Sequence, residues 1–115
     1  MSAQTVYTLT SLARTVSGSS GQLSVSAFNE LAFDANTTIV TGTSPTLQFV
    51  VQRLGADGIW YTFWSSTSRT ATGVDSKSIG AGLTQSESFT GTIQVLWNIG
   101  GTSPSFTFSL SLIGK

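Results

Sequence analysis

Apolar and polar residues alternate along most of this chain, and helical periodicity is nearly absent. "LSVSA" (Leu23 to Ala27) alternates as a half-buried strand does. "ELAFDA" sets Leu31, Phe33 and Ala35 on one side and Glu30, Ala32 and Asp34 on the other. "TLQFVVQRL" places Leu47, Phe49 and Val51 on one face. Later, Ile93, Val95, Trp97 and Ile99 alternate with Thr92, Gln94, Leu96 and Asn98, and "SFTFSLSL" turns Phe106, Phe108, Leu110 and Leu112 inward. The β-formers Val, Ile, Thr, Phe, Tyr and Trp dominate, and turn signals recur about every ten residues. The pattern predicts an all-β fold, an antiparallel sandwich or barrel.

Asp57-Gly58, between two β-rich runs, predicts a hairpin turn, because both positions accept positive φ. A two-residue loop pairs Ala56 with Ile59, and a four-residue loop pairs Leu54 with Ile59. Either choice sets Leu47, Phe49 and Val51 beside Trp60, Thr62 and Trp64. The opposite face then collects Val50, Leu54, Ile59, Tyr61 and Phe63. An odd loop would exchange the two sets. From about Ser65 to Ser88 the chain is rich in Ser, Thr and Gly, which predicts a long surface excursion with one short strand near Ser78.

The phrase "GTSPTLQF" from Gly42 returns as "GTSPSFTF" from Gly101. Gly supplies a permissive backbone, Thr-Ser offers hydrogen bonds to a turn, and Pro fixes φ and interrupts pairing. Each copy is expected to be a hairpin loop leading into a strand, with internal pseudo-symmetry between the two. A phosphate loop needs a Lys after the glycines and a helix behind them, and neither copy has either.

Composition narrows the function more than the fold. The 115 residues suit one domain, 1–115, with 1–14 as a candidate N-terminal contact arm. Only 9% are charged, against about 25% in an ordinary soluble domain, while Ser and Thr make up roughly a third. A net charge of zero opposes self-association weakly and offers no footprint for nucleic acid. Without Cys, the compartment is not legible from redox chemistry. The start "MSAQTVYTLTSLARTV" has no signal-peptide pattern, and no run approaches the ~20 apolar residues of a membrane span, so a cytoplasmic product is expected.

Reactive side chains are scarce. His and Cys are absent, and neither Lys77 nor Lys115 stands in a Ser-x-x-Lys setting. Glu30 and Asp34 share a strand face, but nothing focuses them on a cleft, and no dense acidic loop suggests calcium. The expectation is no enzyme, no cofactor and no metal. Trp60 and Trp64 are expected in the core with Trp97. Val50, Ile59, Tyr61 and Phe63 would leave an apolar patch outside, of the kind that marks association surfaces or stacks sugars. Arg14, ahead of the first regular strand, and Arg69, in the long excursion, are the cations placed to meet a partner's carboxylates.

The order "ARTVSGSSG", "TGTSPTLQFVVQ", "DGIWYTF", "GGTSPSFTFSLSLIG" resembles a group of small structural proteins of tailed-bacteriophage virions. The resemblance runs from about Ala13 to Gly114. The neutral "GTIQVLWNI" stands where such chains often carry a basic strand. The resemblance implies a β-sandwich virion component, a capsid decoration (cement) protein on the outside of the head. The resulting expectation is an antiparallel β-sandwich with jelly-roll-like or Greek-key connections. The chain would bind the major capsid protein lattice as a homo-oligomer, a trimer by expectation, and stabilise it. Arg14, Val50, Ile59, Tyr61, Phe63 and Arg69 are the candidate contact residues. A virion-borne glycan-binding module using Tyr61, Phe63 or Trp64, and a tail or neck component, are the alternatives.

Overall fold

The computed structural model describes residues 4–80 and 91–115, the side chains of 79 and 80 apart. The described residues hold strands and no helix: β1 (Gln4–Arg14), β2 (Gly18–Ser19), β3 (Leu23–Ser24), β4 (Glu30–Leu54), β5 (Trp60–Ser65), β6 (Gly73–Gly80) and β7 (Thr92–Gly114). The fold is all-β, as the alternation predicts, with one open antiparallel sheet. Its spine is the pair β4 and β7, antiparallel from Leu31 opposite Gly114 to Arg53 opposite Ile93. β1, β2 and β3 run in succession along the other side of β7, and β5 and β6 along the other side of β4.

Neither spine strand is straight. A straight strand would separate Phe33 from Phe49 by roughly 50 Å. Their ring centroids are 5.5 Å apart. The sheet therefore doubles back near the middle of β4 and β7. One limb contains residues 30–41 and 105–114, flanked by β1 and β6. The other contains residues 46–54 and 92–100, flanked by β5, β2 and β3. Between the limbs lies the core predicted from alternation: Leu31, Phe33, Ala35, Leu47, Phe49, Val51, Ile93, Val95, Trp97, Phe106, Phe108, Leu110 and Leu112 are all buried, and Val25 joins them. Phe49 bridges the limbs, its ring 5.3 Å from Phe108 and nearly perpendicular to it.

The doubled phrase sits at the fold-back. Neither copy is the expected hairpin loop, because the strand continues through it and only its direction changes. The β4–β7 ladder slips between Thr41 and Thr43 and again between Thr43 and Thr46. Gly42 and Gly101 take φ of 114° and 113°, and Ser44 and Ser103 both take 48°. A left-handed Ser beside a Pro, which lacks the N–H a ladder needs, bends a strand without ending it.

Two other expectations are corrected. Gln4–Arg14 is no arm ahead of the first strand but β1 itself, paired with β7 from Gln4 opposite Gly114 to Arg14 opposite Phe106. The short strand expected near Ser78 in the excursion after Ser65 is the eight-residue β6, which pairs with β4 from Gly80 opposite Glu30 to Gly73 opposite Thr37. The rest of that excursion, 81–88, lies outside the described residues.

The hairpin after β4 has an odd loop. The Gly55 N–H donates to Ile59 O (2.8 Å) and the Gly58 N–H to Gly55 O (3.0 Å), enclosing Ala56, Asp57 and Gly58. Gly58, at φ 82°, closes this three-residue turn in the left-handed region. Leu54 therefore faces Trp60 and Arg53 faces Tyr61. A bulge then makes Phe63 the extra residue, so that Val51 still faces Trp64. Trp64 reaches the core, 5.4 Å from the Phe33 ring. Trp60 stays half-buried beside Leu54, away from the core cluster.

Candidate partner-contact surface

The odd loop redistributes the predicted patch. Val50 is nearly buried, and Phe63 is half-buried and packs on the core, so neither offers an outward apolar face. Ile59 and Tyr61 remain outside, 55% and 41% exposed, at the tip of the β4–β5 hairpin. Register explains their company. With Arg53 directly opposite, the Arg53 guanidinium carbon lies 5.6 Å from the Tyr61 ring centroid. The ring also lies so close to Gly55 that a Cβ there would meet it at 2.6 Å.

The Tyr61 hydroxyl donates to Asp57 Oδ2 (2.5 Å), and Asp57 Oδ1 accepts from the Ile59 N–H (3.0 Å). These two bonds, the phenol first, hold the Asp57 carboxyl below its ordinary pKa. The same carboxylate, by hydrogen bond and then by charge, raises the Tyr61 phenol above its ordinary value. The tip is thus a preformed knob: an apolar Ile59 and a Tyr61 fixed by a carboxylate, a glycine and a guanidinium. Sequence reading missed Arg53. The signal was available only through register, since an odd loop is what places Arg53 opposite Tyr61.

Both expected contact cations are engaged within the chain. Arg14 stacks on the buried Phe108 (5.0 Å to its centroid) while its Nη1 donates to Leu12 O (2.8 Å). Arg69 forms a fork onto Asp75, Nε to Oδ2 at 2.9 Å and Nη2 to Oδ1 at 3.1 Å. It also donates to Thr72 O (3.0 Å) and Val74 O (3.1 Å), which ties together the turn between β5 and β6. That fork raises the Arg69 pKa further. Arg69 also forms a bridge to Leu47, its N–H donating to Leu47 O at 2.7 Å. Its geometry is that of a turn clamp.

The outer face of the limb that carries β1 and β6 holds an open trough of about 300 Å³. Val74 of β6 contributes to its lining, and so do Thr8, Thr10, Asp34, Asn36, Ser109 and Ser111. These are the outward positions of three adjacent strands: Ser111 faces Thr8 on one side and Asp34 on the other. Glu30, which shares the Asp34 face, instead lies 3.8 Å from Lys115. Among the described residues no three acidic or metal-ligating side chains gather. No helix among them is long and apolar enough to cross a membrane. No family model, no curated protein and no solved structure matches this chain.

Proposed function

We propose that this chain is a structural protein of a tailed-phage virion, a decoration protein that binds the outside of the head and stabilises the major capsid protein lattice. The observation that carries the reading is the ordered set "ARTVSG", "GTSP", "DGIW" and "GTSPSFTF". All of these are construction signals, and reactive groups are sparse around them. The finer description of the fold belongs with this function: the doubled sheet as a β-sandwich with jelly-roll-like or Greek-key connections. A weakly charged, rigid β body with a preformed apolar knob suits a protein whose work is to be held between other subunits. In this reading Ile59 and Tyr61 contact a neighbour, and copies of the chain associate with one another.

The test is sedimentation with capsids assembled without this protein. Co-pelleting and a raised disassembly temperature are expected, and an Ile59→Asp variant should pellet less. Protein left wholly in the supernatant would sink the proposal. The sugar-binding alternative is weakened by the knob itself: one face of the Tyr61 ring is covered by Arg53, and Gly55 also packs against the ring.

A further inference from the structure

The charged residues are few enough to follow one by one. Arg69 is paired with Asp75, Glu30 with Lys115 and Asp57 with Tyr61, while Arg14 caps a carbonyl and covers Phe108. Lys77 is engaged as well. Among the described residues this leaves one cation without an acceptor, Arg53, and one anion without a donor, Asp34. The first stands at the knob, its guanidinium over the Tyr61 ring. The second lies in the trough on the outer face of the other limb.

We infer that the trough of one copy receives the hairpin tip of a second copy, with Arg53 of the tip meeting Asp34 and Ile59 seated beside Val74. Three observations carry this. The charges are complementary and unspent, so bringing them together leaves neither buried alone. The trough, at the small end of the roughly 300–1,000 Å³ range of binding clefts, suits a hairpin tip rather than a domain. The tip is already ordered by Asp57 and Gly55, so docking costs little further side-chain entropy. Knob and trough are different surfaces, so the contact is head-to-tail. It closes into a ring where the rotation between copies allows. The inference deepens the homo-oligomeric part of the proposed function, and nothing in it depends on a capsid.

Sedimentation velocity across a wide concentration range tests it. The wild-type chain should self-associate. Asp34→Arg leaves a cation at both surfaces and Arg53→Asp an anion at both, so each alone should associate at least tenfold more weakly. An equimolar mixture of the two should associate again, because every tip then finds a trough of opposite charge. A wild-type chain that stays monomeric overturns the inference, as do single variants that assemble like wild type or a mixture that stays apart. Circular dichroism verifies the fold of each variant. Should a reversal unfold the chain, Asp34→Asn and Arg53→Gln replace it, and unchanged association of both would equally overturn the idea. Capsid pelleting is read separately, so failure of self-association and failure of capsid binding remain distinguishable.

Discussion

Thr43 stands opposite Thr102 in the β4–β7 ladder, so the two copies of Gly-Thr-Ser-Pro meet each other at the fold-back. The meeting is symmetric in detail. A Cβ on Gly42 would lie 2.7 Å from Ser103 O and 2.9 Å from Pro104 Cα, and one on Gly101 2.7 Å from Ser44 O and 2.9 Å from Pro45 Cα. Both neighbours are backbone and cannot swing aside. Gly42→Ala and Gly101→Ala should therefore each cost about 2 kcal/mol or more, and by similar amounts. Urea unfolding measures this. A neutral result at either position would show that the corner relaxes.

The same symmetry extends to the edges of the sheet. β5 and β6 follow β4 as β1, β2 and β3 follow β7. The pair Leu54–Trp60, just inside the hairpin loop, thus corresponds to the pair Gln4–Gly114. Joining residue 115 to residue 4 through a short flexible linker and opening the chain between Asp57 and Gly58 exchanges one equivalent connection for another. The permuted chain should keep its far-ultraviolet spectrum and melt cooperatively, within about 2 kcal/mol of the parent. A molten or non-cooperative product would show that the covalent β4–β5 turn is required.

What could be read from sequence follows from which forces leave a trace in it. Burial of Phe33, Phe49, Phe106 and Phe108 imposes a period of two, and the core was legible from that alone. The fold-back was not, because Gly-Thr-Ser-Pro satisfies a hairpin loop and a strand corner equally well. Only the partner copy across the ladder decides between them. The Asp57-Gly58 turn was legible and its parity was not, since Asp-Gly serves loops of more than one length. One residue of loop length moved Trp60 off the core, and the bulge at Phe63 moved Trp64 back. β6 was legible only as a short strand near Ser78, because it is an edge strand held by backbone bonds, with Ser, Asp and Lys along it. The unpaired Arg53 and Asp34 could not be singled out before the other charges among the described residues had found their partners.

Arg69 is expected to be worth more to stability than to recognition. Its guanidinium makes a fork onto Asp75 and bonds to three carbonyls of the same turn, those of Ala71, Thr72 and Val74. Arg69→Lys keeps the charge but loses the fork, and should cost about 2 kcal/mol. Amide exchange should localise the loss to residues 73–80. A uniform loss of protection across β4 and β7 would mean that the clamp supports the whole sheet.

Arg14 guards an edge. It covers Phe108, which is fully buried, and occupies the Leu12 carbonyl on the outermost strand of its limb. Arg14→Ala would expose the ring and free a backbone acceptor on β1, the two features that invite further strand pairing. The variant should fold yet scatter light sooner on heating, and bind more of a dye that reports exposed apolar surface. An unchanged aggregation onset would mean that the bulges in β1 guard the edge sufficiently.

The knob should be sensitive to pH at both ends of the scale, because one hydrogen bond requires Asp57 ionised and Tyr61 protonated. The Asp57 carboxyl, bonded by the Tyr61 hydroxyl and then the Ile59 N–H, has a folded pKa below its unfolded 3.8. Its contribution is therefore present above that unfolded value and lost as pH falls through the lower folded one. The Tyr61 phenol, bonded to Asp57, has a folded pKa above its unfolded 10.0. That contribution is present below the unfolded value and lost as pH rises through the higher folded one. Between these limits the knob stays closed, and stability across neutral pH should be insensitive to this pair. Tyr61→Phe removes the donor, so the Asp57 carboxyl should titrate higher by NMR than in the wild type, while the fold persists because the ring still packs against Gly55 and Arg53. An Asp57 titration unmoved by Tyr61→Phe would show that the Ile59 amide alone sets it.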